Sequence, residues 1–223
     1  MPDEPFIDRR HAGVELATRL LHYRGRNDVV VLALPRGGVP VAYEVAERLG
    51  AALDVFVVRK IGLPGHREYA IGAIASGGDE LVDYDIARRY GVPDTAVDAV
   101  VREERAELER REREYRPGTA MPSLHGRIVI LVDDGLATGS TMKAAVMAVR
   151  RHQPARVVVG VPVGARDSCE ELAGLADETV CARIPDRFSA VGQWYRDFSQ
   201  TTDDEARALL AHHAQHAGAA GRR

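Results

Sequence analysis

A chain of 223 residues, 45% hydrophobic and 28% charged, is long enough to bury an ordinary α/β core without disulfide or metal staples. Its net charge of −3 argues against a general binder of nucleic acid or membrane surfaces, which carries a basic excess, but leaves room for a small basic pocket. No apolar run approaches membrane-spanning length and the charged residues 1–10 hold no signal-type apolar stretch, so a cytoplasmic protein is expected.

Residues 29–34 (VVVLAL) form a β-branched apolar run that predicts a buried strand, ended by Pro35-Arg36-Gly37-Gly38. Residues 39–49 have helical period, with Val41, Val45 and Leu49 on one face and Gly50 as the stop. Residues 53–58 (LDVFVV) predict the next strand. Strand, helix and strand in this order imply a right-handed crossover and parallel pairing. Residues 60–66 (KIGLPGH) are rich in Gly and Pro and read as a loop. Residues 70–76 and 80–84 flank Gly77-Gly78-Asp79 as a hairpin.

From 93 to 116 the pattern is one long charged helix, supported by the i,i+4 pairs Glu107–Arg111, Glu109–Arg113 and Glu112–Arg116. Its sparse apolar residues Val97, Val101, Leu108 and Tyr115 predict a solvated helix with one narrow packed stripe, the alternative being a dimer contact. The parallel pattern resumes with a strand at 128–132, a helix from about 141 to 151, a strand at 156–161, a helix at 168–175 and a strand at 179–184. The reading is one domain over 1–211, followed by a flexible tail over 212–223 whose histidines sit on an uncapped terminus unsuited to metal binding. Cys169 and Cys181, the only two cysteines, have neither CxxC spacing nor a nearby histidine pair and read as free thiols in a reducing compartment.

Residues 129–141 (VILVDDGLATGST) carry the chemistry. Buried-strand residues run into two adjacent carboxylates, then a loop of small residues, then a helix start. Ligands of open parallel sheets bind beyond the carboxyl ends of the strands. A helix N-terminus there offers backbone N–H groups and a favourable dipole to a phosphate. Gly139 permits close approach, Ala137 keeps the loop small, and Thr138, Ser140 and Thr141 add hydroxyls. Asp133 and Asp134 are acceptors for two vicinal sugar hydroxyls. The parts describe a cradle for a sugar phosphate. No Walker A lysine and no GxGxxG is present in the segment. The plain structural alternative is a capped helix with two solvated aspartates.

This string resembles the phosphoribosyl pyrophosphate signature of type I phosphoribosyltransferases, departing from it at Gly135, where a large aliphatic residue is usual and looser packing is expected. The resemblance covers residues 6–198 and implies an open, mainly parallel twisted sheet flanked by helices, with a small hood and, here, an inserted long charged helix. It implies that Asp133 and Asp134 contact the ribose hydroxyls and that Ala137, Thr138, Gly139, Ser140 and Thr141 bind the 5-phosphate. Arg36 and Gly37 fall in the family's pyrophosphate loop, where a nonproline cis peptide often occurs. The stretch from Arg59 and Lys60 to Gly65, with Glu68 beyond, looks most like the mobile loop of adenine phosphoribosyltransferases. Arg36, Lys60 and Glu68 are the implied catalytic residues, with Arg59 a further pyrophosphate contact. Ala137 stands where 6-oxopurine enzymes carry an Asp, which disfavours that specificity.

Residues 184–198 are the candidate hood, where Phe188, Trp194 and Tyr195 either stack on a planar acceptor or serve as ordinary core. The implied reaction moves ribose 5-phosphate to a nitrogen acceptor such as a nucleobase, with Mg2+ carried on the donor, no nucleic-acid or membrane partner, and a homodimer as the family's default. The rival reading is a non-catalytic regulatory protein that binds the same donor or a nucleotide.

Overall fold

The computed structural model describes residues 4–220. Where the sequence reads as a single domain, the chain divides into two compact units, Met1–Val55 with Pro122–Arg223, and Phe56–Met121.

The first unit is built on a five-stranded, all-parallel sheet. In chain order its elements are α1 (Arg9–Arg19), β1 (Val29–Ala33), α2 (Gly38–Leu49) and β2 (Ala52–Val55), which all precede the second unit. The second unit holds β3 (Val58–Leu63), β4 (His66–Ala75), β5 (Asp79–Val82), α3 (Tyr84–Arg89) and α4 (Asp94–Tyr115). The first unit then resumes with β6 (Ile128–Val132), α5 (Ser140–Arg151), β7 (Arg156–Val163), α6 (Arg166–Ala173), β8 (Glu178–Arg183) and α7 (Asp203–Ala220). Strand order is β2-β1-β6-β7-β8.

The unbroken apolar runs explain the parallel sheet. Every residue of β1 and β6 is buried, as expected of strands covered by helices on both faces. The chain moves one way from β1 to β2 and the other way from β6 to β7. Right-handed crossovers in opposite directions put α2 and α5 on opposite faces and leave a crevice where β1 and β6 diverge.

Packing holds α1 and α7 on the first unit. Asp8 caps α1 by accepting from the His11 backbone N–H at 2.7 Å, and α1 packs on α2, β7 and β8. Gly13 lets the two helices meet: a Cβ there would lie 2.7 Å from the Val41 carbonyl oxygen. The expectation of a flexible tail from His212 is corrected as far as His216. His213, only 6% exposed, places its ring nitrogens 2.6 Å from Glu47 and 3.0 Å from the Ala51 carbonyl, and His212 meets the Tyr43 hydroxyl at 2.8 Å. These partners lie on or just after α2, so spacing along the tail could not reveal them. Residues 221–223 of the proposed tail lie outside the described residues.

A second correction concerns the cysteines. Cys169 of α6 and Cys181 of β8 form a disulfide, with sulfurs that meet beside Gly164. Residues 12 apart in sequence are brought together by the α6–β8 packing, a contact that local motif spacing does not encode.

The second unit is an antiparallel sheet, β3-β4-β5, with α4 packed on β3 and β4. The 77–79 hairpin is present as expected. Residues 60–66 are not a loop: β3 runs through them to Leu63, pairing with β4 across a register shift near Gly62. Ile61 and Leu63 are buried, and this period-2 burial outweighs the Gly and Pro content, which is spent on the Pro64-Gly65 turn. Gly72 of β4 admits no side chain, since a Cβ would sit 2.3 Å from the Leu81 carbonyl oxygen. Along α4 the buried residues are Val97, Val101, Leu108 and Tyr115, the stripe read from the sequence.

Candidate active site

The crevice between β1 and β6 is formed by two loops, each entering a helix. After β1 the chain turns through Pro35-Arg36, joined by a cis peptide bond, into Gly37 and the start of α2. After β6 it passes Asp133, Asp134 and Gly135, then 136–139, into α5. The two loops touch through glycine. A Cβ on Gly37 would lie 2.2 Å from Asp134 Oδ2, and one on Gly38 would lie 2.7 Å from the Val132 carbonyl oxygen and 3.0 Å from Asp133 Cα. The glycine pair is therefore a packing requirement of the aspartate pair, a link invisible when either motif is read alone.

Asp133 Oδ1 accepts the Asp134 backbone N–H at 2.8 Å, and Asp134 Oδ2 accepts Arg9 Nε at 2.8 Å. Among the described residues, the other oxygen of each carboxylate has no protein hydrogen bond. Burial, with the Asp134 charge beside it, pushes the Asp133 carboxyl well above the ordinary carboxylate range. Burial also raises Asp134, while the Arg9 guanidinium pulls it back down. Two half-buried acids with one open oxygen each suit a pair of neutral hydroxyl donors.

Gly139, at a φ of 67°, starts α5, and its carbonyl accepts Lys143 N at 2.8 Å. The N–H groups of the first turn have no helical acceptor and point out of the helix end. Thr138 and Ser140 hydroxyls lie 3.1 Å apart beside them, and Ser168 Oγ holds the loop by donating to the Ala137 carbonyl at 2.6 Å. Ala137 and Thr138 are exposed and Thr141 is half-buried. This arrangement of amides and hydroxyls favours an anion. Arg36 lies 3.3 Å from Asp203 of α7 and is about one-third exposed.

The first unit thus brings together Arg36, Gly37, Asp133, Asp134, Ala137, Thr138, Gly139, Ser140 and Thr141. Arg59, Lys60 and Glu68 belong to the second unit. There Lys60 and Glu68 are exposed on β3 and β4, while Arg59 is paired with Glu104 of α4 at 2.5 Å.

Gly135 and Arg9 escape a reading of the sequence, while Tyr195 takes the core alternative which that reading left open. Gly135 does not loosen the loop: a Cβ there would collide with Val191 Cγ1 at 2.6 Å, so a side chain from the segment after β8 occupies that space. Tyr195 is core: it packs on Phe6 and Phe198 at ring distances of 5.3 and 5.0 Å and donates its hydroxyl to the Asp134 carbonyl at 2.5 Å. Burial pushes its phenol strongly upward, with the Asp134 charge adding to the effect. Arg9, in the first turn of α1, reaches the acid pair across 125 residues of sequence, and no local motif marks it.

A family model described as phosphoribosyl transferase domain matches residues 10–198. A Mycobacterium tuberculosis protein named "putative phosphoribosyl transferase" is 50% identical over 205 residues, covering 92% of this chain and 46% of that protein. The chain therefore spans about half the length of that curated relative. The solved structure of TT1426 from Thermus thermophilus is 44% identical, covers 93% of this chain and 98% of its own, and superposes with a TM-score of 0.82. The AQ2163 protein of Aquifex aeolicus, 13% identical with 91% and 85% of the two chains covered and a TM-score of 0.50, shares the fold alone. The signature read at residues 129–141, the parallel sheet that carries it and the matched span of residues 10–198 agree: this chain belongs to the phosphoribosyltransferase family of pentosyl-transferring enzymes.

Proposed function

We propose that the chain transfers ribose 5-phosphate from 5-phosphoribosyl 1-pyrophosphate to a ring nitrogen of a nucleobase, at the crevice between β1 and β6. The observation that carries the reading is the contact of Gly37 and Gly38 with Asp134 and Asp133, which joins a pyrophosphate-type loop to a ribose-phosphate loop. The open oxygens of Asp133 and Asp134 accept the two ribose hydroxyls. The first-turn amides of α5, with Thr138, Ser140 and Thr141, hold the 5-phosphate. Arg36 faces the pyrophosphate, exchanging its contact with Asp203 for the more highly charged ligand.

In the reaction the C1–oxygen bond to pyrophosphate breaks, its electron pair leaves with pyrophosphate, and the acceptor nitrogen bonds C1 and gives up its proton. Positive charge develops at C1, so the residues act by positioning and by stabilising the leaving group. Magnesium, brought in on the donor, supplies further neutralisation of the pyrophosphate. The acid pair fits an ion carried on the substrate, because each carboxylate offers a hard oxygen donor beside the one already hydrogen-bonded. The roles of Lys60, Glu68 and Arg59 rest on the family resemblance; for Arg59 the Glu104 pair would first have to open.

Calorimetry with donor and magnesium tests the site. Asp133→Asn/Asp134→Asn is expected to weaken binding by about a hundredfold or more, since two hydrogen bonds to charged acceptors are lost. Unchanged affinity sinks the assignment. Pyrophosphate release across a panel of bases then identifies the acceptor, and donor binding without release on any base favours the regulatory reading.

The proposal includes a homodimer, checked by sedimentation equilibrium, where a monomer at all concentrations refutes it. It also includes a cytoplasmic location. Among the described residues no helix is long and apolar enough to cross a membrane. The Cys169–Cys181 disulfide runs against that location, because cytosolic thiols are kept reduced. Thiol trapping in intact cells decides: a fully oxidised pair at steady state excludes a reducing compartment.

A further inference from the structure

Arg9 lies outside every motif of the family signature, yet its guanidinium makes three kinds of contact at the acid pair. Nε donates to Asp134 Oδ2 at 2.8 Å. A terminal nitrogen donates to the Ser199 carbonyl at 2.6 Å. Arg9 Cζ lies over the Phe198 ring, 4.1 Å from the centroid. The Arg9 and Asp134 side chains are 11% and 15% exposed, so solvent screens this pair far less than a surface pair.

The surroundings show what the pair is for. The segment after β8 returns to the first residues of the chain, with Arg196 N donating to the Phe6 carbonyl and Phe6 N to the Trp194 carbonyl, both at 2.8 Å. The same segment reaches Asp134 again through the Tyr195 hydroxyl on its carbonyl oxygen. Arg9 holds the Asp134 side chain and Tyr195 its main-chain carbonyl, so α1 and the segment after β8 meet at one residue. The charged and titratable groups facing that carboxylate are Arg9 from α1, Asp133 beyond β6, and Tyr195; α2 presents only the Gly37 backbone. Arg9 supplies the positive charge among them.

We infer that Arg9 is a positioning residue of the donor site, holding Asp134 as an oriented anion whose free oxygen is presented to the donor's ribose. A carboxylate buried beside a second carboxylate takes up a proton unless a cation faces it. Once protonated, it loses the charge that strengthens its hydrogen bond from a sugar hydroxyl. Arg9 opposes this by charge and fixes the carboxylate plane through its anchorage on Ser199 and Phe198. A lysine could supply the charge but lacks the forked donors that reach Asp134 Oδ2 and the Ser199 carbonyl together.

The inference rests on the donor-binding reading above. Its test measures donor–magnesium affinity by calorimetry from pH 5 to 9 for wild type, Arg9→Met, Arg9→Lys, Asp134→Asn and the double variant Arg9→Met/Asp134→Asn. Arg9→Met is expected to weaken binding about tenfold or more at pH 7 and to move the acid limb of binding to higher pH. Arg9→Lys keeps the limb near its wild-type position with a smaller loss of affinity. In the double variant, Arg9→Met costs little beyond Asp134→Asn, because it acts through the group already changed. A merely structural Arg9 would lower the melting temperature and leave the pH limb in place.

Wild-type affinity and limb position in Arg9→Met, or fully additive losses in the double variant, overturn the inference while leaving the donor site standing. Failure of wild type to bind donor removes both. Should Arg9→Met not fold, Arg9→Lys and Phe198→Leu decide. Each is expected to weaken donor binding with the limb unmoved, and wild-type affinity in both refutes the orienting role.

Discussion

The β1–β6 crevice and the α4 helix are both rich in charge, yet charge is managed in opposite ways. In the crevice two carboxylates sit side by side at the end of one fully buried strand, pressed against glycine backbone and raised by burial. On α4 the acids alternate with arginines at helical spacing, and pairs such as Arg111–Glu107 at 2.8 Å and Arg116–Glu112 at 3.1 Å form as the pattern predicts. Hydrogen bonds from Arg110 and Arg111 hold Glu107 down to about 2. The helix uses most of its charge in local pairs along its own surface, while Glu104 and Arg105 pair with Arg59 and Glu80 of the neighbouring strands. The crevice holds charge at a cost in stability, which is the mark of a site kept for binding.

The largest effect that could break this comparison is steric. Gly38→Ala would meet main chain at Val132 and Asp133 more closely than the Asp133 carboxylate, 3.2 Å away, so the backbone must move, with an expected loss of about 1–3 kcal/mol. Gly37→Ala would meet the end of the Asp134 carboxylate, and its backbone at a φ of −58° accepts alanine. It is expected to retain most of the stability and lose donor affinity. Melting curves and donor titrations on the two variants separate these outcomes; equal loss of stability would show that the aspartate cannot yield and that packing alone explains Gly37.

A smaller effect follows from the raised carboxyl. Asp133 has a folded value above its unfolded value near 3.8, so the folded protein binds the extra proton between the two. Its contribution is therefore most favourable below that window and is lost as pH rises through it. Asp133→Asn is expected to melt higher than wild type above neutrality, by roughly 2–4 °C per kcal/mol of strain removed, and to converge with it as pH falls to about 4. A variant that melts lower than wild type at every pH would mean that Asp133 stabilises the loop as an ion.

The smallest effect belongs to the helix. Glu109→Gln removes an exposed pair 3.9 Å long and should change stability by no more than about 0.5 kcal/mol, within reach of careful denaturant titration. A loss several times larger would show that α4 charge is structural after all, and the contrast with the crevice would disappear.

Much of both regions is legible in the sequence. Apolar runs at 29–34 and 128–132 can only be strands buried on both faces, and alternation with helical segments leaves parallel pairing as the economical solution. The acid pair, the small-residue loop and the helix start follow one another in sequence, so their chemistry can be read locally. The α4 stripe is legible for the same reason: helical period is a property of neighbours in the chain. Residues 60–66 mislead because Gly and Pro signal turns more loudly than two alternating apolar residues signal a strand.

Tertiary structure alone decided the long-range meetings. The Arg9 pair with Asp134, the Val191 side chain filling the space above Gly135, the His213 contact with Glu47 and the joining of Cys169 to Cys181 link positions that no local pattern couples. The sequence by itself determined which segments become buried strands and where a helix start with free amides must lie, because periodicity and backbone chemistry act over a few residues. Which distant side chain neutralises a buried charge or fills a gap depends on the packing of the finished fold, and only there do those distances exist.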